Sequence, residues 1–141
     1  MQYPSGPQGA MVHTGFYETY QSVSSQVIDA VNKTLQKYPN AHIVINGHSL
    51  GSALATFAAL DIKEKLNPPN QFTFYSFGAP RIGNQNMSDY IFSYFPSEGK
   101  TTYYRILNQN DIFGHTPPSE MGFHHAGDEV WYNDPTDMES Y

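Results

Sequence analysis

The spacing of apolar residues changes period several times along this chain, and each change marks an element. Tyr20, Val23, Val27, Val31, Leu35 and Tyr38 recur every three or four positions. That stripe predicts one helix over residues 16–38, ended by Pro39-Asn40. Residues 42–46 hold Ile43, Val44 and Ile45 in an unbroken β-branched run, the pattern of a buried parallel strand. A second helical stripe of Leu50, Ala53, Leu54, Phe57, Ala58 and Leu66 follows, stopped by Asn67-Pro68-Pro69-Asn70. Residues 71–77 (QFTFYSF) predict an aromatic strand broken by Gly78-Ala79-Pro80. A short helix is expected near 86–95, with Met87, Tyr90, Ile91 and Tyr94, and further strands at 102–108 and 129–133. Helix and strand alternate, so the class is α/β, a mainly parallel sheet with helices on both faces. Functional groups in such sheets gather beyond the carboxyl ends of the strands. Ser49, the 78–84 loop and the 108–128 loop therefore share one edge. Residues 1–11, rich in Pro and Gly, read as a linker or frayed end, which leaves 12–141 as the domain.

The junction of the first strand with the second helix carries the chemistry. Residues 47–51 are Gly-His-Ser-Leu-Gly, a Gly-x-Ser-x-Gly sequence between strand and helix. The five residues alone are a modest signal, but strand and helix are the context in which they form the nucleophile elbow of an α/β-hydrolase. The backbone reverses so tightly around Ser49 that side chains at Gly47 and Gly51 are expected to collide with neighbouring backbone. His48 lies inside the elbow and points away from the position of a base.

Composition narrows the classes of partner. The 141 residues carry a formal charge of −6 and no Lys/Arg cluster, which argues against nucleic acid and against a polybasic lipid anchor. No window approaches the length of a membrane span, and no basic, apolar leader opens the chain. There is no Cys, so thiol chemistry is excluded and the redox compartment stays open. The histidines show no metal-ligand spacing, so neither a metal nor another cofactor is expected.

A serine hydroxyl needs an imidazole to take its proton, and the imidazole needs a carboxylate to hold it. In the order Ser, acid, His, only Asp111 falls directly beyond a strand after Ser49, in RILNQND. The alternative for Asp111 is an Asx-turn aspartate in a loop. His115 reads as a loop residue, and His13 and His42 precede the serine. The adjacent His124 and His125 are left unresolved by spacing alone.

Five segments are similar, in order and spacing, to the class 3 lipases: VHTGFYETY (12–20), IVINGHSLGSALA (43–55), YSFGAPRIGN (75–84), YRILNQNDIFGHTPP (104–118) and GFHHAGDEVWY (122–132). The resemblance implies an α/β-hydrolase fold and an ester hydrolase acting on acylglycerols through an acyl-enzyme. It implies Ser49 as nucleophile, Asp111 as orienting acid, His125 as base and the backbone N–H of Leu50 as an oxyanion donor. It also implies a lipid ester as the partner, transient contact with a lipid surface, and secretion. Phospholipase or feruloyl esterase activity on the same scaffold is the nearest alternative, and a non-catalytic truncated product is another. Two departures from the family stand out. Ser52 occupies a position where a second Gly is usual. The strand that supplies the second oxyanion donor, with the lid after it, has no counterpart in residues 1–11. The chain therefore reads as truncated on its N-terminal side, with strand 42–46 left as an edge.

Overall fold

Four parallel strands follow one another across the sheet in the order in which they occur along the chain. The computed structural model describes residues 1–96 and 99–133. It holds β1 (Ile43–His48), β2 (Phe72–Phe77), β3 (Thr101–Asn108) and β4 (Asp128–Tyr132) in the order β1-β2-β3-β4. Ile43 stands opposite Phe72, Phe72 opposite Thr101, and Tyr104 opposite Asp128. The helices are α1 (Thr14–Gln21), α2 (Ser24–Lys37), α3 (Leu50–Lys65) and α4 (Gln85–Tyr94). Short 3-10 turns at Ile112–His115 and Ser119–Met121 occupy the long connection before β4.

This order determines where the crossover helices lie. A right-handed crossover that moves the chain one strand over lays its helix on one particular face. Two such steps in the same direction put α3 and α4 on the same face. That face carries Phe72, Phe74 and Tyr103, which pack on Phe95 at the end of α4, while Lys63 of α3 lies over the Phe72 ring. The other two helices, α1 and α2, pack on α3, so helices flank the parallel sheet. The opposite face presents Val44 and Phe77, 52% and 40% exposed. Among the described residues β1 pairs only with β2, so it is an edge, as expected.

Two local expectations change. The single helix expected over 16–38 is divided at Ser22-Val23, where Val23 takes φ −124 and ψ −3. Ser22 Oγ donates to the Thr19 carbonyl at 2.7 Å and Ser24 Oγ to that of Gln21 at 3.3 Å. Serine hydroxyls competing for helix carbonyls, around a β-branched residue, favour a break.

Residues 1–11, expected as a linker or frayed end, are instead anchored to the core through Tyr3 and Ala10. Gly9, at φ +84, helps reverse the chain, so that Tyr3 N–H reaches the Ala10 carbonyl at 2.8 Å and Gln2 bridges Met11. The Tyr3 ring is buried against Tyr17, Phe57 and Tyr90, and its hydroxyl meets both Glu64 carboxylate oxygens at 3.2 and 3.3 Å. Pro and Gly here shape a turn rather than a free tail. The reversed segment pairs with itself and, through Val12, with Gly83 ahead of α4.

Candidate active site

β1 delivers Ser49 into a backbone conformation that a serine rarely adopts, φ 52 and ψ −125. Such strain persists only where the surroundings enforce it. Here Ser49 N–H donates to the Phe77 carbonyl at 2.9 Å, and the Ser49 carbonyl accepts from Ser52 N–H at 2.9 Å. The first turn of α3 then starts at Leu50, whose side chain is half exposed.

Gly47 behaves as expected: a Cβ there would stand 2.5 Å from the Gly51 carbonyl oxygen and 2.8 Å from Ser52 Cα. Gly51 does not. A Cβ at Gly51 would meet nothing within 4 Å outside its own helical turn, because the residue lies on the open side of the first turn of α3. The close strand–helix approach therefore depends on Gly47 alone of the two.

Asp111 follows β3, where it caps the turn at Ile112–His115. Its Oδ1 accepts from Phe113 N–H at 3.0 Å, and its own N–H donates to the Asn108 carbonyl at 3.1 Å. This is the Asx-turn geometry weighed in the sequence, and it leaves Oδ2 directed at Gly78. A Cβ on Gly78 would meet Asp111 Oδ2 at 2.6 Å and His48 Nε2 at 3.8 Å. His48, set aside as a base, thus comes to the same corner as Asp111. A cavity of about 200 Å³ lies beside Asp111, lined by Leu107, Gln109, Asn110, His115 and Trp131 among others.

His124 and His125 lie in the connection between the second turn and β4. His124 N–H donates to the Gly83 carbonyl at 2.8 Å, and the His125 carbonyl accepts from Ser88 Oγ at 2.5 Å. His125 Nε2 faces the Gly114 carbonyl at 2.5 Å. Burial, then the charge of Arg105, hold this imidazole near a pKa of about 4, below its ordinary 6.5. Arg105 is itself buried on β3, with Nη2 on Glu129 Oε2 at 2.6 Å and with Nε and Nη1 unpartnered among the described residues.

The structure therefore brings Asp111, Gly78 and His48 together and engages His125 with Gly114. Among the described residues no hydrogen bond joins the side chains of Ser49, Asp111 and His125. No group of three or more His, Asp or Glu among them is placed to hold a metal ion, and no helix is long and apolar enough to cross a membrane. The sequence reading did not single out Ser52 for a role or Gly78 for a close contact. The positive φ of Gly78 follows from a Gly directly after a strand, but its fit to Asp111 is a tertiary contact with no local signal.

Comparison with known proteins identifies a family. The family described as lipase (class 3) matches residues 1–121. A lipase from Rhizomucor miehei is 36% identical over 129 residues, which cover 89% of this chain and 34% of that protein. A secreted mono- and diacylglycerol lipase from Malassezia restricta is 30% identical over 131 residues, covering 93% of this chain and 40% of the relative. The structure of a triacylglycerol lipase whose catalytic centre is formed by a serine protease triad superposes with a TM-score of 0.87 at 33% identity, over 97% of this chain and 50% of that one. The chain thus spans about a third to two fifths of the length of these curated relatives. On the family match and the shared α/β-hydrolase fold, the chain belongs to the class 3 lipases.

Proposed function

We propose that this chain carries the nucleophile-bearing part of a carboxylic ester hydrolase acting on acylglycerols. The observation that carries the reading is the conformation of Ser49, held at φ 52 between β1 and α3. A half-buried serine at the end of a strand, with helix N–H groups behind it, suits attack on an ester carbonyl.

In this reading His125 takes the Ser49 proton, Oγ adds to the carbonyl carbon, and the oxyanion is met by the N–H of Leu50. His125 then returns the proton to the departing alcohol, and water repeats the sequence to release the acid. Asp111 orients the imidazole. For this, the His125 ring must exchange the Gly114 carbonyl for Ser49 on Nε2 and Asp111 on Nδ1. A carboxylate beside the ring raises its proton affinity, which makes it a better base than it is against Gly114. The chemistry calls for no cofactor. Exposed Leu50, Ile112, Phe113 and Met121 offer apolar contacts to a lipid surface. Secretion is proposed from the secreted relative in Malassezia restricta. Phospholipid or feruloyl esters remain substrates that one scaffold could share.

A second reading, a non-catalytic product, is favoured by one observation, the engagement of His125 with Gly114 rather than with Ser49 or Asp111. A serine-directed organophosphonate separates the two. Stoichiometric labelling of the folded chain, abolished in Ser49→Ala, is the expected result. A folded chain that takes no label establishes the second reading.

A further inference from the structure

We propose that Ser52 is a positioning residue that clamps the nucleophile elbow to the ends of two strands. The inference rests on Ser49 being the nucleophile. Ser52 is wholly buried, two residues into α3. Its hydroxyl lies 2.6 Å from the Gly47 carbonyl oxygen and 3.1 Å from that of Phe77. The Phe77 carbonyl is also the acceptor of Ser49 N–H. One hydroxyl proton is therefore shared between the carbonyl of Gly47, next to last in β1, and that of Phe77, last in β2, at the place where the strained residue begins.

The geometry has a specific mechanical effect. Gly47 and Ser52 are already at van der Waals limit, since a Cβ on Gly47 would stand 2.8 Å from Ser52 Cα. The first turn of α3 cannot move towards β1, and the hydroxyl prevents it from moving away. Ser52 N–H on the Ser49 carbonyl closes the turn from the other side. Below it, the Ser52 carbonyl accepts from Thr56 Oγ1 at 2.9 Å, so the residue is tied into the helix as well. Without the hydroxyl two part-buried carbonyls lose a donor, and the enforced φ of Ser49 loses one of its restraints. Ser49 Oγ and the Leu50 N–H would then sample positions away from the reacting geometry, where small displacements cost much rate.

The test uses Ser52→Ala and Ser52→Gly in the full chain. Three quantities are read: turnover of p-nitrophenyl butyrate, the labelling rate with a p-nitrophenyl alkylphosphonate, and amide hydrogen exchange at Ser49. The expected result is a fall of about tenfold in kcat and in labelling rate, with KM within about twofold. Exchange at the Ser49 amide should rise at least about tenfold, while Phe57 and Leu60 amides keep their protection. Unchanged Ser49 exchange overturns the proposal. So does a uniform rise along α3 with a lowered Tm, which would mark Ser52 as a stability residue only. If Ser52→Ala does not fold, Ser52→Gly, which places in the turn the residue usual there in the class 3 lipases, decides by the same readings. A folded wild type that neither labels nor turns over ends the reading of Ser49 as nucleophile, and the exchange comparison still decides whether the hydroxyl holds the elbow.

Discussion

Gly78 and Asp111 fit so closely that a Cβ on Gly78 would stand 2.6 Å from Asp111 Oδ2. Gly78 also sits at φ +55, a conformation that costs a side chain about 1–2 kcal/mol. Gly78→Ala is therefore expected to turn the Asp111 carboxylate away and to lower kcat by about ten- to a hundredfold, at a modest loss in Tm. Steady-state kinetics beside a thermal melt would check it. Full activity in the variant would mean that the Asp111 position seen here is not the working one.

The two adjacent histidines should separate by activity. His125→Ala is expected to lower kcat by about a thousandfold or more, and His124→Ala, whose backbone makes the contact to Gly83, by less than about tenfold. Adding Ser49→Ala to His125→Ala should cost little further, since members of one catalytic unit are not additive. The reverse ranking of the two histidines would transfer the role of base to His124.

His125 also predicts how stability responds to acid. Burial and Arg105 depress its folded pKa to about 4, against 6.5 for the ordinary ring. The stabilisation from keeping it neutral is fully present above about pH 6.5. It is lost as pH falls towards 4, because the unfolded chain takes up a proton that the folded one declines. Between pH 7 and pH 4.5 the wild type should lose about 2–3 kcal/mol from this group, a loss absent in His125→Gln. Urea unfolding of both proteins at the two pH values measures the difference. Equal losses would show that the ring is not held neutral in the folded chain.

The N-terminal segment should matter to stability as a core element does. Tyr3→Ala removes a buried ring from contact with Tyr17, Phe57 and Tyr90 and should cost about 3 kcal/mol or more. Tyr3→Phe, which keeps the ring and loses only the bond to Glu64, should cost about 1 kcal/mol. Chemical denaturation of the pair gives both numbers. A Tyr3→Ala chain as stable as wild type would mean that residues 1–11 are the frayed end their composition suggests.

What could be read from the sequence was what short-range pattern encodes. Ile43, Val44 and Ile45 followed by Gly-His-Ser-Leu-Gly located β1, the turn and α3 to within a residue or two. The position of Asp111 just beyond β3 was legible by order alone, although its contact with Gly78 was not. Tyr3 was missed because turn residues around it say where the chain bends and not what a ring fifty residues away will receive. The break at Ser22-Val23 hid in a continuous apolar stripe, since periodicity registers faces and not the local competition of serine hydroxyls for carbonyls. The orientation of the His125 ring depends on Gly114, a backbone partner that carries no side-chain signal.

Among the described residues, α3 touches β1, β2, α1, α2 and α4, whereas β4 pairs within the sheet along β3 alone. The chain therefore has a keystone and a margin, and the two candidate partners in proton transfer sit on opposite ones. Ser49 begins the keystone helix, and His125 precedes the marginal strand by three residues. Under mild denaturant the margin should open first, as its own cooperative unit. The nucleophile would then outlast its base: a partly opened chain would keep the shape of its elbow while losing the means to deprotonate it, and inactivation would precede unfolding.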